Sequence, residues 1–447
     1  MKKTNTLVIR SAFIAALGGL LFGFDTAVIS GAERSIQELF QLNGFWHGFT
    51  VAIALIGTVF GALLAGKPAD KFGRKQVLIV LAVLYGISAL GCAFSSQWIP
   101  FMAFRFIGGL AVGASSVIGP MYIAEIAPAR LRGRLVGLFQ LNVVSGILLA
   151  FLSNYLISKM VEVQAWRYML GIQIVPSALF FGLLFLIPAT PRWLALKGKY
   201  DEALELLKRL ASQNPETELS EIRESIEKGH HSTNEPLFQK QYMVPILLAF
   251  AIAFFNQMAG INAIMYYAPR IFEMSGFGTG TALFSSVSVG VTNLIFTLIG
   301  MSIIDKFGRK KLLLIGSIGM TLFLGLVAKS FLSESNGSMI VLVYLVGFIA
   351  FFAFSQGAVI WVYISEIFPN SVRAKGQTLG SLTHWFMAML VSWIFPVIAE
   401  SSMNGGAIAF FIFSGSMLLQ FFVVNKWFPE TKGKSLELIQ KEMLKTN

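Results

Sequence analysis

Two opposite charges lie within long apolar stretches of the chain, where a charged side chain is costly. Asp25 lies in the segment Gly23-Phe-Asp-Thr-Ala27, near the end of the first stretch, and Arg105 lies near the start of a later one. A charge at bilayer depth costs about 2.5–3.5 kcal/mol on insertion scales, so we expect the two side chains to pair. A neighbouring arginine favours the ionised carboxylate, and exclusion of water favours the protonated one. Such a carboxylate can bind and release a proton; a static ion pair between two helices is the alternative.

Side-chain amides recur in other apolar stretches. A buried amide is costly unless it is hydrogen-bonded, and each amide can both donate and accept a hydrogen bond. This double capacity matches a ligand with several hydroxyl groups, such as a sugar. The amides in question are Gln140, Asn256, Gln257, Asn262 and Asn293.

The apolar stretches themselves predict a membrane protein. The 447 residues are 55% hydrophobic and 13% charged, with a mean hydropathy of +0.70, whereas soluble domains carry about 25% charged residues. Runs of about 20 apolar residues, the length of one helical span, recur along the chain and are too long for barrel strands. We place twelve of them, at residues 8–29, 47–66, 77–95, 99–124, 135–158, 168–188, 243–268, 280–304, 311–331, 339–364, 376–399 and 406–428. The expected fold is an all-α membrane protein with twelve transmembrane helices.

The net charge of +12 is concentrated in alternate loops. Lysines and arginines cluster at residues 67–75, 130–134, 306–311 and 373–375 and from residue 192 onward, and the intervening loops carry few of them. This distribution follows the positive-inside rule. We therefore expect these loops and both termini in the cytoplasm, and no nucleic-acid partner.

The sequence offers no pattern for enzymatic chemistry. We find no nucleophile–base pair, nucleotide-binding loop or cluster of metal ligands in it. We therefore expect no cofactor, no metal site and no enzymatic activity, and we expect no ATP-driven pumping.

Two motifs occur twice, in the same order. The hexapeptide Asp-Lys-Phe-Gly-Arg-Lys begins at Asp70 and again at Asp305, and the motif Tyr-Ile-x-Glu begins at Tyr122 and again at Tyr363. The first motif follows the second span of each half, and the second motif follows the fourth. The repeat therefore predicts two related six-helix halves with the substrate between them. We expect the halves at residues 1–191 and 242–429, a helical cytoplasmic linker at 192–241 and a short cytoplasmic tail at 430–447.

Charged residues of the repeated motifs are predicted to form a gating network at the cytoplasmic helix ends. Single surface ion pairs contribute only about 0–1 kcal/mol, but several together can bias a two-state equilibrium. The alternative is that these charges only set the topology. The network comprises Asp70, Arg74, Glu125 and Arg132 and their counterparts Asp305, Arg309, Glu366 and Arg373.

The full set of motifs resembles that of the sugar porters of the major facilitator superfamily. It includes both hexapeptide loops, both Tyr-Ile-x-Glu motifs, Arg105-x-x-x-Gly-x-x-x-Gly, Pro188-x-x-Pro-Arg-Trp, Gln257-x-x-x-x-Asn and Pro429-Glu-Thr-Lys-Gly. The resemblance covers essentially the whole chain. It implies the major facilitator fold of two pseudo-symmetric halves and sugar transport by alternating access.

The resemblance also implies roles for particular side chains. Trp361 matches a tryptophan that packs on the sugar ring, and Tyr266 and Tyr267 match aromatic residues of the external gate. Proton-coupled members carry aspartate at the position of Asp25, whereas uniporters carry a neutral residue there. The positions that contact sugar in the family match Gln140, Gln257, Asn262 and Asn293.

Two candidate sugar-binding residues depart from the family pattern. Asn256 stands where glutamine is usual, and its shorter side chain reaches about one bond less far. His384 stands where asparagine or glutamine is usual, and an imidazole can titrate near neutral pH. The alternative for His384 is a neutral ring that makes one hydrogen bond.

The expected function is proton-coupled uptake of a monosaccharide, either a hexose or a pentose. Proton coupling would involve Asp25 and Arg105. We expect the chain to act as a monomer in the lipid bilayer of a bacterial inner membrane. The alternatives are an uncoupled sugar facilitator and a sugar sensor that does not transport.

Overall fold

A computed structural model describes residues 6–434, apart from residues 129, 211, 213, 232–234, 333–337 and 370 and the side chains of residues 228–231. Twelve of its helical segments are long and apolar enough to cross a membrane, which confirms the predicted number. The spans, numbered in chain order, are Thr6–Gly31, Gly44–Leu64, Arg74–Phe94, Trp98–Ile126, Arg132–Met160, Ala165–Leu184, Lys240–Met274, Thr279–Phe307, Arg309–Leu332, Ser338–Ile367, Arg373–Ala399 and Gly405–Trp427. The described residues contain no β-strand.

Several spans are interrupted. Span 6 consists of the helices Ala165–Gly171 and Ile174–Leu184, and span 10 of Ser338–Phe354 and Gln356–Ile367. Span 1 ends in a 3₁₀ turn at Ile29–Gly31, which leads into the short helix Glu33–Leu39. In membrane transporters, broken helices often mark binding sites.

The break in span 7 is set by a glycine. Gly260 separates the helices Met243–Met258 and Ile261–Met274, and its φ of +80° lies in the left-handed region that other residues avoid. A Cβ atom at this position would lie 2.4 Å from the ring of Phe413. The sequence therefore forces an irregular turn within an otherwise continuous apolar run.

Gly260→Ala is expected to destabilise the protein, because alanine costs about 1–2 kcal/mol in the left-handed region and also displaces Phe413. Thermal unfolding in detergent should show a lower midpoint temperature. Gly182→Ala is the matched control, since a Cβ at this helical glycine meets no atom within 4 Å. Equal midpoints for the two variants would contradict this account of the break.

Short helices lie outside the spans. Between spans 6 and 7 the structure has the helices Pro191–Leu196, Tyr200–Arg209 and Pro215–His231. All three lie within residues 192–241 or at their edge, the segment predicted to be a helical linker. The helix Gly66–Phe72 follows span 2, and a 3₁₀ turn at Lys240–Tyr242 opens span 7.

The chain divides into two compact units. Unit 1 comprises Met1–Thr26, Ile56–Ala150 and Arg167–Thr233, and unit 2 comprises Ala27–Leu55, Phe151–Trp166 and Asn234–Asn447. Unit 2 thus includes the end of span 1, the first half of span 2, the end of span 5 and the start of span 6, as well as spans 7 to 12. The predicted halves at residues 1–191 and 242–429, with the linker between them, stay a prediction, and residues 435–447 of the predicted tail lie outside the described residues.

Glycines allow close helix packing within unit 1. Cβ atoms added at Gly57 and Gly61 of span 2 would lie 2.3 and 2.2 Å from backbone oxygens of span 4. Gly113 of span 4 makes the reciprocal approach, 2.0 Å from the backbone oxygen of Thr58. Small residues at such crossings let membrane helices pack through their backbones.

The internal repeat is visible in matching contacts. In unit 1 the hydroxyl of Tyr122 donates a hydrogen bond to the backbone oxygen of Pro188 at 2.9 Å. In unit 2 the hydroxyl of Tyr363 donates to the backbone oxygen of Pro429 at 3.4 Å. The equivalent tyrosines therefore hold the ends of spans 6 and 12 in the same way.

Candidate functional site

Asp25 and Arg105 come together in the interior of unit 1. Both are almost completely buried, and Nη1 of Arg105 lies 3.4 Å from Oδ1 of Asp25. The backbone of Gly108, one turn after Arg105, leaves little room beside the carboxylate, because a Cβ there would lie 3.4 Å from the same oxygen. The pair joins spans 1 and 4.

Three predicted amides meet at the break in span 7, within unit 2. Asn256 and Gln257 end the first helix and are buried, and Asn262 begins the second. Oε1 of Gln257 accepts a hydrogen bond from Nδ2 of Asn262 at 2.8 Å, and Nε2 of Gln257 donates to Oδ1 of Asn256 at 3.0 Å. Gly260 interrupts the helix between these residues, and Gln257 and Asn262, five positions apart, share one hydrogen bond across the break.

His384 of span 11 completes this amide group. Its two ring nitrogens lie 3.3 and 3.2 Å from Nε2 of Gln257. The imidazole is buried and packs beside Trp361 and Trp385, with ring centroids 4.9 Å away in each case. Trp361 is 38% exposed, so part of its ring remains free to pack against a ligand. His384 therefore contacts both the amide group and the rings of Trp361 and Trp385.

Gln140 and Asn293 are not part of this hydrogen-bonded group. Asn293 is buried in span 8 of unit 2, and Gln140 is half-buried in span 5 of unit 1. Neither side chain is hydrogen-bonded to another residue that the structure describes. Their contact with a sugar stays a prediction.

Tyr266 and Tyr267, the predicted external gate, are buried in the second helix of span 7. The hydroxyl of Tyr267 donates a hydrogen bond to the backbone oxygen of Ser392 in span 11 at 3.1 Å. Its ring lies edge-on to His47, with 5.7 Å between centroids. Tyr267 therefore links span 7 to spans 2 and 11 within unit 2.

The sequence analysis missed a partly buried charge cluster beside Tyr267. Arg270 lies 3.2 Å from Glu33 and 2.6 Å from Glu400, and donates to Oε1 of Gln37 at 2.7 Å. Nε2 of His47, which is fully buried, lies 2.7 Å from Glu33, at ion-pair distance but outside hydrogen-bond geometry. These residues lie at or near the ends of spans, where charged side chains are common and do not by themselves indicate a site. Only their opposite signs could have indicated the cluster.

An exposed ion pair flanks this charge cluster. Nη1 of Arg34 lies 2.6 Å from Oε2 of Glu273. The hydrogen bond to Glu273 raises the pKa of Arg34. The pair adds a second contact between the helix Glu33–Leu39 and the end of span 7.

At the end of unit 1 that carries basic loops, Arg74 binds two acidic residues. Its Nη2 lies 3.1 Å from Asp70 and 3.0 Å from Glu125. The preceding Gly73 has a φ of +96°, and a Cβ on it would lie 2.9 Å from the ring of Trp193. The glycine lets the chain turn so that the arginine points back at its partners.

The repeat forms the same triad in unit 2. Arg309 lies 3.0 Å from Asp305 and 2.9 Å from Glu366, and the hydroxyl of Thr431 donates to Glu366 at 2.7 Å. Glu430 accepts hydrogen bonds from the backbone N–H groups of residues 309 and 310, at 2.9 and 3.1 Å. Glu430 therefore caps span 9, a role the sequence analysis did not assign.

Arg132 and Arg373 do not join these triads. Nε of Arg373 donates to the backbone oxygen of Phe368 at 3.2 Å. Arg132 is exposed and makes no ion pair with any residue that the structure describes. Near Arg373, the hydroxyl of Tyr242 donates to Glu235 at 2.5 Å, and this hydrogen bond lowers the pKa of the Glu235 carboxyl.

This chain is similar to known proteins over almost its whole length. The family described as "Sugar (and other) transporter" matches residues 11–443. The arabinose-proton symporter of Bacillus subtilis is 38% identical over 444 residues, covering 98% of this chain and 95% of that protein. The D-xylose-proton symporter of Escherichia coli is 35% identical over 474 residues, covering 98% and 96%. The inward open conformation of the xylose transporter XylE from E. coli is 34% identical with a TM-score of 0.87, covering 97% of this chain and 99% of that one.

Proposed function

We propose, from the premise that the chain belongs to the sugar (and other) transporter family, that it carries a monosaccharide across a membrane together with a proton. Its relatives include symporters named for arabinose and for xylose. The substrate is a pentose or a hexose, and transport proceeds by alternating access without ATP or another cofactor. The protein acts as a transporter and not as an enzyme.

The observation that carries this proposal is the amide group at the break in span 7. Gln257, Asn262 and His384 bring donors and acceptors within one hydrogen bond of each other, and Trp361 lies against His384. Sugars present hydroxyl edges and apolar ring faces, which call for this combination of amides and an aromatic ring. Gln140 and Asn293 are proposed to add further contacts.

Uptake by a host that lacks its own monosaccharide transporters tests this function. Radiolabelled D-xylose, L-arabinose and D-glucose are offered to cells that express the full chain, with unlabelled pentoses, hexoses and inositol as competitors. We expect saturable uptake of at least one sugar and selective competition among the rest. Uptake no faster than in cells without the protein would contradict the proposal.

Proton coupling is proposed to depend on Asp25. Its carboxylate is almost completely buried beside Arg105 in unit 1. Protonation removes the attraction between the two side chains, so the strength of the link between spans 1 and 4 depends on the proton. An uncoupled facilitator has no need of such a pair, and we therefore favour symport.

We propose that the chain is a monomeric, multi-pass protein of a bacterial inner membrane. The basic loops and both termini face the cytoplasm, in keeping with the positive-inside rule. In this orientation the Arg74 and Arg309 triads lie on the cytoplasmic side and Tyr266 and Tyr267 on the external side. Each triad ties its own helices together and is proposed to act as part of the cytoplasmic gate.

Arg309→Gln is expected to slow transport about tenfold with little change in sugar affinity at equilibrium. The change removes the charge that pairs with Glu366, and hydrogen bonds between charged groups contribute about 1.5–3 kcal/mol, while about 1.4 kcal/mol is a factor of ten. Initial uptake rates and equilibrium sugar binding are measured on the same protein. Arg223→Gln is the control, because its ion pair with Glu227 lies on an exposed linker helix. A transport rate equal to that of the wild type would defeat the gating role.

A further inference from the structure

A chain of five side-chain amides runs through the interior of unit 2. Nδ2 of Asn262 donates to Gln257 at 2.8 Å, and Nε2 of Gln257 donates to Asn256 at 3.0 Å. Nδ2 of Asn256 lies 3.4 Å from Oε1 of Gln356, and Nε2 of Gln356 donates to Oε1 of Gln420 at 2.6 Å. At every link of this amide chain the N–H side points the same way, from half-buried Asn262 towards fully buried Gln420.

A backbone group and Gln420 together set the direction of the amide chain. Nδ2 of Asn256 also lies 3.5 Å from the main-chain oxygen of Gln356, and a carbonyl oxygen can only accept a hydrogen bond. Asn256 must therefore turn its N–H side to Gln356 and its oxygen to Gln257. One reversed amide would set two oxygens or two N–H groups against each other and leave buried polar groups unsatisfied. The five amides are therefore held in one common orientation.

The amide chain connects two of the broken spans, 7 and 10. Asn256 and Gln257 lie just before the break in span 7, and Gln356 is the first residue after the break at Ser355 in span 10. Gln420 lies in span 12. Apolar side chains could join these spans without the cost of burying amides, so packing alone does not account for Gln356 and Gln420.

We propose that Gln356 and Gln420 are positioning residues for sugar recognition, acting through the amide chain on Gln257 and Asn262. The proposal rests on the proposed function, because it concerns the same sugar site. One N–H of Asn262 is committed to Gln257, which fixes the orientation of this amide and leaves Oδ1 on its other side to accept a hydrogen bond from a sugar hydroxyl. The amide chain thus determines on which side of Asn262 the sugar must present a donor. Asn256 connects Gln356 to Gln257, so the orientation of one amide determines that of the other.

The direction of the amide chain predicts different effects for two substitutions of Gln420. Gln420→Met fills a similar volume but removes the oxygen that accepts from Gln356. The Gln356 amide can then reverse and set its Nε2 against Nδ2 of Asn256, and only the 3.5 Å contact of Asn256 with the main-chain oxygen of Gln356 opposes reversal of the remaining amides. Gln420→Glu keeps an oxygen at that place and should preserve the orientation. Gln173→Met is the matched control, because Gln173 is buried in unit 1 and its Nε2 makes no hydrogen bond with a described residue.

Discrimination between a sugar and its deoxy analogues is the readout. For each variant, transport efficiency is measured for D-xylose, L-arabinose and D-glucose and for their monodeoxy forms. In the wild type the analogue that lacks the hydroxyl at Asn262 should be about tenfold poorer than its parent sugar, since buried polar groups of the site are left unpaired. This ratio should fall to about threefold or less in Gln420→Met, because the discrimination that one hydrogen bond contributes is lost. It should stay at the wild-type value in Gln420→Glu and Gln173→Met.

A double substitution tests whether Gln420 acts through Gln257. Because the ratio depends on the orientation of Gln257, Gln420→Met should produce no further change when Gln257 is already methionine. A wild-type ratio in Gln420→Met, an equal loss in Gln420→Glu, or full additivity in the double variant would each overturn the inference. Absence of sugar uptake by the wild type would instead overturn the proposed function and the inference with it.

Discussion

Asp25→Asn is expected to abolish uphill sugar accumulation while it leaves sugar exchange across the membrane intact. Asparagine has nearly the shape of aspartate but cannot bind and release a proton, so the link between spans 1 and 4 no longer responds to pH. With one proton per sugar, wild-type vesicles should accumulate sugar about tenfold per unit of imposed pH gradient, because one unit is worth about 1.4 kcal/mol. The variant should only reach equal concentrations on the two sides.

Accumulation and exchange are measured in the same vesicles. Exchange of labelled for unlabelled sugar needs no net proton movement, so it shows that the variant is folded and binds sugar. Asp201→Asn is the control, because Asp201 is exposed on the linker helix Tyr200–Arg209, and it should accumulate sugar as the wild type does. Accumulation by Asp25→Asn at the wild-type ratio would rule out its role in coupling.

Gln257→Met is expected to weaken sugar binding by about tenfold to a hundredfold. The substitution removes a group that can donate and accept within the site, and a net hydrogen bond contributes about 0.5–1.5 kcal/mol, with more lost when its partners stay buried and unpaired. Asn262 and His384 both lose a contact with this side chain. The effect should therefore exceed that of removing one isolated amide.

Quenching of tryptophan fluorescence offers a direct measure of this binding, because Trp361 and Trp385 flank His384. Titrations with the best transported sugar should give a dissociation constant raised in Gln257→Met and unchanged in Gln173→Met. If both variants bind sugar as the wild type does, the site at the break in span 7 has been misplaced.

Hydropathy predicted the twelve spans because each apolar run must cross the same thickness of lipid. It could not predict every break within them. Gly260 was a recognisable weak point of span 7, but no glycine or proline stands at Ser355, where span 10 is interrupted. There the serine hydroxyl bonds back to the oxygen of Phe351, and Gly316 of span 9 approaches closely. Such a break depends on packing between spans, which local composition does not reveal.

Some contacts of the candidate site could also be predicted from the sequence, and others could not. The repeated motifs placed Arg74 and Glu125 in one network and Arg309 and Glu366 in its counterpart. Residues repeated at equivalent positions of two related halves are expected to make equivalent contacts, and both pairs form ion pairs. Arg132 and Arg373, which the same motifs placed in the network, make no comparable ion pair with a residue that the structure describes, and Arg373 bonds to a backbone oxygen. Their part in gating stays a prediction. Gln356 and Gln420 could not be found, because their link to Asn256 spans 100 and 164 residues of sequence and arises only when the broken helices pack.

Proton movement driven by sugar alone tests the central claim of proton–sugar symport most directly. Purified protein is reconstituted in vesicles without an imposed gradient, the transported sugar is added outside, and external pH is followed together with sugar uptake. Symport predicts that the external medium becomes alkaline as sugar enters, and that this change disappears in Asp25→Asn. Sugar that enters the vesicles to equal concentration while external pH stays constant would contradict the account and identify the chain as an uncoupled facilitator.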